Sequence, residues 1–166
     1  MKQPDKKIII GRVEKITFPE LGLKNVHAKI DTGADVSSIW ATGIHEHNGV
    51  LKFKLFGRKS PHYTGKEIEF TVPHYLLTRI ASSFGHRELR YVVKLQINLG
   101  GRVIVGTFTL ADRGKKTYPI LIGRKLLNRK FLVDVAKGTP MTEIETGKKD
   151  RLRQELETFK MWEKKK

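Results

Sequence analysis

Hydrophobic and polar residues alternate along most of the chain. Val26, Ala28 and Ile30 alternate with His27 and Lys29, Leu51, Phe53 and Leu55 with Lys52 and Lys54, and Ile68, Phe70 and Val72 with Glu67, Glu69 and Thr71. A period of two puts every second side chain on one face, so each run predicts a half-buried strand. Tyr91, Val93, Leu95, Ile97 and Leu99 carry the pattern up to Gly100-Gly101, a hairpin signal, and residues 103–110 predict the returning strand. One short internal helix is predicted over 124–129, directly after Gly123.

Because helices do not alternate with these strands, a parallel sheet with crossovers is excluded and the fold class is all-β, a small closed barrel. From Lys148 onward charged residues surround Leu152, Leu156, Phe159 and Trp162 at helical spacing. That pattern predicts an amphipathic C-terminal helix docked on the body or on a partner, or else a frayed tail. The 166 residues fit one domain. The expected division is a basic tail over 1–7, the folded domain over 8–146, and the charged helix or tail over 147–166.

Charge changes this picture. The chain carries 33 Lys and Arg against 17 Asp and Glu, a net +16, and residues 8–146 alone retain +10. The basicity therefore belongs to the folded body. It predicts a polyanionic partner, either nucleic acid or a carboxylate-rich protein, unless it serves solubility alone. With no cysteine, the chain has no disulfide, thiol nucleophile or Cys-ligated metal. The longest aliphatic run near the start is Ile8-Ile9-Ile10, and no stretch approaches the roughly 20 apolar residues of a membrane-spanning helix. A cytoplasmic protein without a membrane partner is expected.

The chemistry concentrates in Ala28-Lys29-Ile30-Asp31-Thr32-Gly33-Ala34-Asp35, where a hydrophobic strand runs straight into Asp-Thr-Gly. The glycine permits a tight turn in which neighbouring amides hold the carboxylate at the strand end. The same tripeptide also ends strands as a plain Asx turn. A second segment narrows the choice: Tyr118-Pro119-Ile120-Leu121-Ile122-Gly123-Arg124-Lys125-Leu126-Leu127, an aliphatic strand that ends at Gly and opens a short helix.

In this order, the two segments resemble the retropepsin-like aspartic proteases, over roughly residues 8–136. A closer resemblance is to a bacterial retropepsin-like family long labelled ATP-dependent zinc proteases, carried by residues 28–39, Arg79-Ile80-Ala81-Ser82-Ser83-Phe84-Gly85, Leu110-Ala111-Asp112-Arg113 and 118–127. The resemblance implies a closed acid-protease barrel with Asp31, Thr32 and Gly33 as the catalytic triplet. It implies that Thr32 braces the opposite subunit's loop, that Asp35 pairs with Arg124, and that Ile122, Gly123 and Arg124 support the loop from below. It further implies a substrate-covering flap over 76–92, with Ser82, Ser83, Phe84 and Gly85 at its tip and with Ala34 and Asp35 beside the substrate.

The residues themselves oppose both halves of the inherited label. The nearest approaches to a phosphate loop, Gly114-Lys115-Lys116-Thr117 and Gly147-Lys148-Lys149, lack the upstream Gly and a hydroxyl directly after the first Lys. For zinc the chain offers only His45-Glu46-His47, in a Gly-bounded stretch expected to be a loop, with His27, His62, His74 and His86 scattered. No metal or other cofactor is expected.

Aspartic proteolysis needs two carboxylates around one water, one ionised and one protonated. The chain has one Asp-Thr-Gly loop, and Asp112 and Asp134 lack the Thr-Gly that would hold them alike. The second Asp31 must then come from another copy across a two-fold axis, which predicts a homodimer. Arg79, Arg87 and Arg90, on the expected flap, suggest a cleft for carboxylates. The bacterial family, as the resemblance implies, occurs with ligases that add glutamates to a ribosomal protein, so an acidic, glutamate-rich segment is the expected substrate. The rival reading is a non-catalytic basic module on the same fold that holds RNA or a ribosomal surface.

Overall fold

A computed structural model describes residues 6–81 and 87–163. The chain forms β1 (Ile8–Ile10), β2 (Val13–Phe18), a 3-10 turn (Pro19–Leu21), β3 (Leu23–Asp31), β4 (Ser37–His47), β5 (Val50–Leu55) and β6 (Glu67–Thr71). It continues through β7 (Tyr75–Ala81), β8 (Arg87–Leu99), β9 (Arg102–Ala111), β10 (Ile120–Gly123), α1 (Arg124–Leu127), β11 (Phe131–Val133) and α2 (Thr142–Glu163). Strands dominate, as the period of two predicts.

The alternating runs bury the expected sides. Val26, Ala28 and Ile30 of β3, Leu51, Phe53 and Leu55 of β5, and Val93, Leu95, Ile97 and Leu99 of β8 all join one core with Phe18, Phe108 and Ile120. The Phe18 and Phe108 rings meet with centroids 6.4 Å apart near its centre. Removing one such ring costs about 3–5 kcal/mol, because a close-packed interior refills the space only partly. The β8–β9 hairpin turns on Gly100 and Gly101, whose φ values of 59° and 83° lie in the left-handed region where a Cβ is unfavourable.

Hydrogen bonding runs β10-β3-β2-β8-β9-β4-β5-β6, β7 adds to β8, and β10 also pairs with β4. The expected small closed barrel is therefore corrected. Six strands form a circuit, but the sheet as a whole stays open, because the first part of the long β4 pairs with β9 and β10 while its second part leaves the circuit to pair with β5. β1 and β11 form a separate parallel pair, Ile8 to Ile10 against Phe131 to Val133. The C-terminal helix starts at Thr142, ahead of the expected Lys148. Its apolar stripe, Leu152, Leu156, Phe159 and Trp162, is exposed, so docking of that stripe on the body is not observed. No helix is long and apolar enough to cross a membrane among the described residues.

Candidate active site

Asp31 closes β3 and lies opposite Gly123, the last residue of β10, in a parallel register that also sets Ile30 against Ile122. Ala28 and Ile30 of β3 and Ile120 and Ile122 of β10 are buried, so the pair is anchored in the core up to the point where the carboxylate emerges. Oδ1 of Asp31 accepts hydrogen bonds from the Gly33 amide at 3.1 Å and the Ala34 amide at 3.2 Å. The other oxygen, Oδ2, has no hydrogen bond among the described residues, and the carboxylate is partly exposed. One oxygen is thus held by the loop, and the other has no partner among the described residues.

The loop after Asp31 is held from beneath. Arg124 N–H donates to the Ala34 carbonyl at 2.8 Å, Lys125 N–H to the Asp35 carbonyl at 3.2 Å, and Gly123 N–H to Ser37 Oγ at 3.0 Å. Thr109 Oγ1 donates to the carbonyl of the same buried Ser37 at 3.2 Å. The Arg124 guanidinium and the Asp35 carboxylate form an ion pair through Nη2 and Oδ1. Both side chains are more than half exposed, so the pair is worth at most about 1 kcal/mol. Backbone hydrogen bonds and packing, more than this pair, fix the loop.

Thr32 is exposed and lines an open groove of about 620 Å³ with Lys7, Arg124, Arg129 and Leu132. Ile9 and Leu132, directly opposite each other in the β1–β11 pair, are 57% and 50% exposed. Strands β7 and β8 form the expected hairpin, pairing Tyr75 with Val93 through to Ala81 with Arg87. Its expected tip, Ser82, Ser83, Phe84 and Gly85, lies outside the described residues, as does His86. The register sets Arg79 opposite Leu89 and Arg87 opposite Ala81, whereas Arg90 faces Thr78. Because directly opposed residues share a face and neighbours alternate, Arg79 and Arg87 lie on one face and Arg90 on the other. The three arginines do not make one patch. Arg90 is already engaged by Glu88 Oε2, from Nε at 3.0 Å and Nη2 at 2.7 Å.

One cation was not read as a site residue from the sequence. Arg113 sits half-buried on the connection between β9 and β10, and its Nε donates to the Tyr118 carbonyl at 3.2 Å. Burial holds its guanidinium below the ordinary range, Arg90 acts in the same direction, and Asp31 opposes them. Its sequence signal is Asp112-Arg113, in the segment Leu110-Ala111-Asp112-Arg113 that carries the family resemblance.

The other titratable candidates do not converge. Asp112 Oδ1 accepts from the Gly114 amide at 2.9 Å and Asp134 Oδ1 from the Ala136 amide at 3.0 Å, each closing its own turn. His45 and His47 belong to β4 and not to a loop, because the hairpin turns later, at Asn48 and Gly49, both with positive φ. Among the described residues no three His, Asp or Glu side chains come together as a metal-binding set.

The sequence matches the family described as RimB-like, retropepsin-like aspartic endopeptidase RimB, over residues 9–142. It is 35% identical over 136 residues to a probable alpha-L-glutamate ligase of Shewanella pealeana, a match covering 78% of this chain and 29% of the relative. A probable alpha-L-glutamate ligase of Desulfotalea psychrophila is 28% identical over 148 residues, with 87% and 32% covered. The chain thus spans about three-tenths of the length of these curated relatives. The crystal structure of a Legionella pneumophila protein of unknown function superposes with a TM-score of 0.61 at 28% identity, covering 82% of this chain and 99% of that one.

Proposed function

The chain belongs to the RimB-like family of retropepsin-like aspartic endopeptidases, and from that membership we propose that it is a homodimeric peptidase whose two Asp31 carboxylates share one water. The observation that carries this reading is the asymmetry at Asp31 in its Asp-Thr-Gly loop: backbone amides hold Oδ1 while Oδ2 has no partner among the described residues. Asp112 and Asp134 also accept an amide through Oδ1, but neither stands in an Asp-Thr-Gly loop, so in this reading two copies each supply half the site. The exposed Leu132, which lines the Thr32 groove, and Ile9, directly opposite it, offer an apolar surface on which the copies meet.

In such a pair the ionised Asp31 takes a proton from the water as its oxygen bonds to the scissile carbonyl carbon. The protonated Asp31 donates to the carbonyl oxygen, giving a neutral gem-diol. Collapse returns a diol proton to one carboxylate, a proton passes to the leaving nitrogen, and the C–N bond breaks. Holding both carboxylates around one water is the positioning task of the loop hydrogen bonds beneath them.

The substrate class proposed is a glutamate-rich protein segment. The basic body supports it, and so does similarity to part of proteins named as glutamate ligases, an activity that belongs to those relatives. The alternative, an RNA-binding module, would want exposed aromatic rings on the sheet. Phe53 and Phe56 are buried, and Tyr63, Phe70 and Tyr75 are half-buried. Incubation of the purified protein with peptides bearing acidic tails, read by mass spectrometry beside Asp31→Asn, tests the proposal. Cleavage by the parent chain alone supports it, and an RNA complex without any cleavage would favour the alternative.

A further inference from the structure

Arg113 is half-buried, held in orientation and without an ion pair among the described residues. Its Nε is committed to the Tyr118 carbonyl, which sets the guanidinium plane and leaves both Nη groups to bind something else. The connection that carries it is itself fixed. Lys116 N–H donates to the Arg113 carbonyl at 2.8 Å, the Asp112 carboxylate caps Gly114, and a Cβ on Gly114 would come within 2.9 Å of the Trp40 ring.

Arg113 lies within electrostatic reach of both Arg90 and Asp31. Arg90 lines a groove of about 480 Å³ between β4 and the β7–β8 hairpin, together with Thr42, Tyr91, Ala111 and Asp112, the residue before Arg113. The acidic groups of that groove are occupied, Glu88 with Arg90 and Asp112 with its own turn. A second guanidinium brought near the first, partly out of water, is costly unless an anion joins it. A carboxylate fits the forked Nη pair.

We propose that Arg113, backed by Arg90, is the specificity-determining group and seats the side-chain carboxylate of a substrate glutamate or aspartate at the groove between β4 and the β7–β8 hairpin. This rests on the reading of Asp31 given above and moves substrate selection from the hairpin arginines to the β9–β10 connection. Arg79 and Arg87, exposed and on the opposite face of the hairpin from Arg90, are left to solvent screening.

The test compares a glutamate-rich peptide with its glutamine counterpart, on the parent protein, Arg113→Gln and Arg113→Lys. The Glu-over-Gln ratio of kcat/KM is expected to fall about ten- to hundredfold in Arg113→Gln, and less in Arg113→Lys, which keeps the charge but not the fork. An unchanged ratio, or equal loss on both peptides, overturns the proposal. If Arg113→Gln unfolds at the assay temperature, Arg113→Lys carries the comparison with the same sign. Fluorescence anisotropy of both peptides on Asp31→Asn and on Asp31→Asn/Arg113→Gln supplies a readout independent of turnover. There the added substitution is expected to weaken the glutamate peptide about tenfold more than the glutamine one. Should the parent protein cleave neither peptide, the peptidase reading falls, and the binding comparison still decides Arg113: selective loss supports it and equal binding refutes it.

Discussion

Gly123 and Asp31 face each other across β10 and β3, and a Cβ built on Gly123 would lie 2.6 Å from the Val36 carbonyl carbon and 2.9 Å from the Ala34 carbonyl oxygen. These are backbone atoms of the loop that follows Asp31, and backbone cannot swing aside as a flexible side chain does. Gly123→Ala should therefore lower stability by about 1–3 kcal/mol, as overpacking does, and displace the loop. Urea unfolding checks the first effect. Peptide turnover checks the second, which should exceed what the unfolded fraction explains, since even about 1 Å of misplacement is costly to catalysis.

Asp31→Asn is expected to abolish peptide hydrolysis while leaving the melting temperature within a few degrees of the parent. The amide keeps the shape and can still accept from the Gly33 and Ala34 amides through its oxygen. It cannot take a proton from water. Turnover of an acidic peptide and a thermal melt, run together, separate this outcome from simple unfolding, and a variant that still turns over would falsify the role of Asp31.

Much of this site was legible because its parts are local. The run from Ala28 to Asp31 and the run from Ile120 to Gly123 each announce a buried strand that stops at the residue doing the work, and the structure sets the two stops opposite each other. What was illegible depends on long-range register. Arg79, Arg87 and Arg90 looked like one patch because they are close in sequence, but alternation places Arg90 on the other face. Arg113 went unread because its half-burial arises from how the β9–β10 connection folds back, with Gly114 against Trp40 and Tyr118 holding the guanidinium. The open sheet reflects the double pairing of β4, which no local pattern encodes.

The protein should sediment as a dimer, and Ile9→Asp/Leu132→Asp should make it an inactive monomer. Both side chains are about half exposed in the single chain, but two like charges directly opposite in the β1–β11 pair cost its own fold about 1–2 kcal/mol. They would be buried unpaired in an interface, which costs far more. Sedimentation velocity and a urea melt read the two effects separately. An active monomer would sink the shared site.

Activity should persist in EDTA and without added nucleotide. The described residues bring no three metal-ligating side chains together, and neither Gly114-Lys115-Lys116-Thr117 nor Gly147-Lys148-Lys149 has the spacing that cradles phosphates. Loss of turnover on chelation, restored by zinc and not by magnesium, would contradict this.

Stability should begin to fall as the pH drops below about 6.5, before the carboxylates titrate. His27 is held below its usual pKa by burial, then by Lys15, directly across β2 and β3, and by His62. His62, whose ring centre lies 5.9 Å from that of Phe56, is lowered by burial. For both, the folded state disfavours the proton, so the unfolded chain binds more protons as the pH falls past its own pKa, and the equilibrium shifts toward unfolding. Solvent still reaches both rings, which limits each contribution to less than about 1 kcal/mol. Urea midpoints measured from pH 8 to pH 5 should decline in the parent protein and flatten in His27→Gln/His62→Gln. A decline confined to the region below about pH 5, identical in both proteins, would assign acid sensitivity to carboxylates instead.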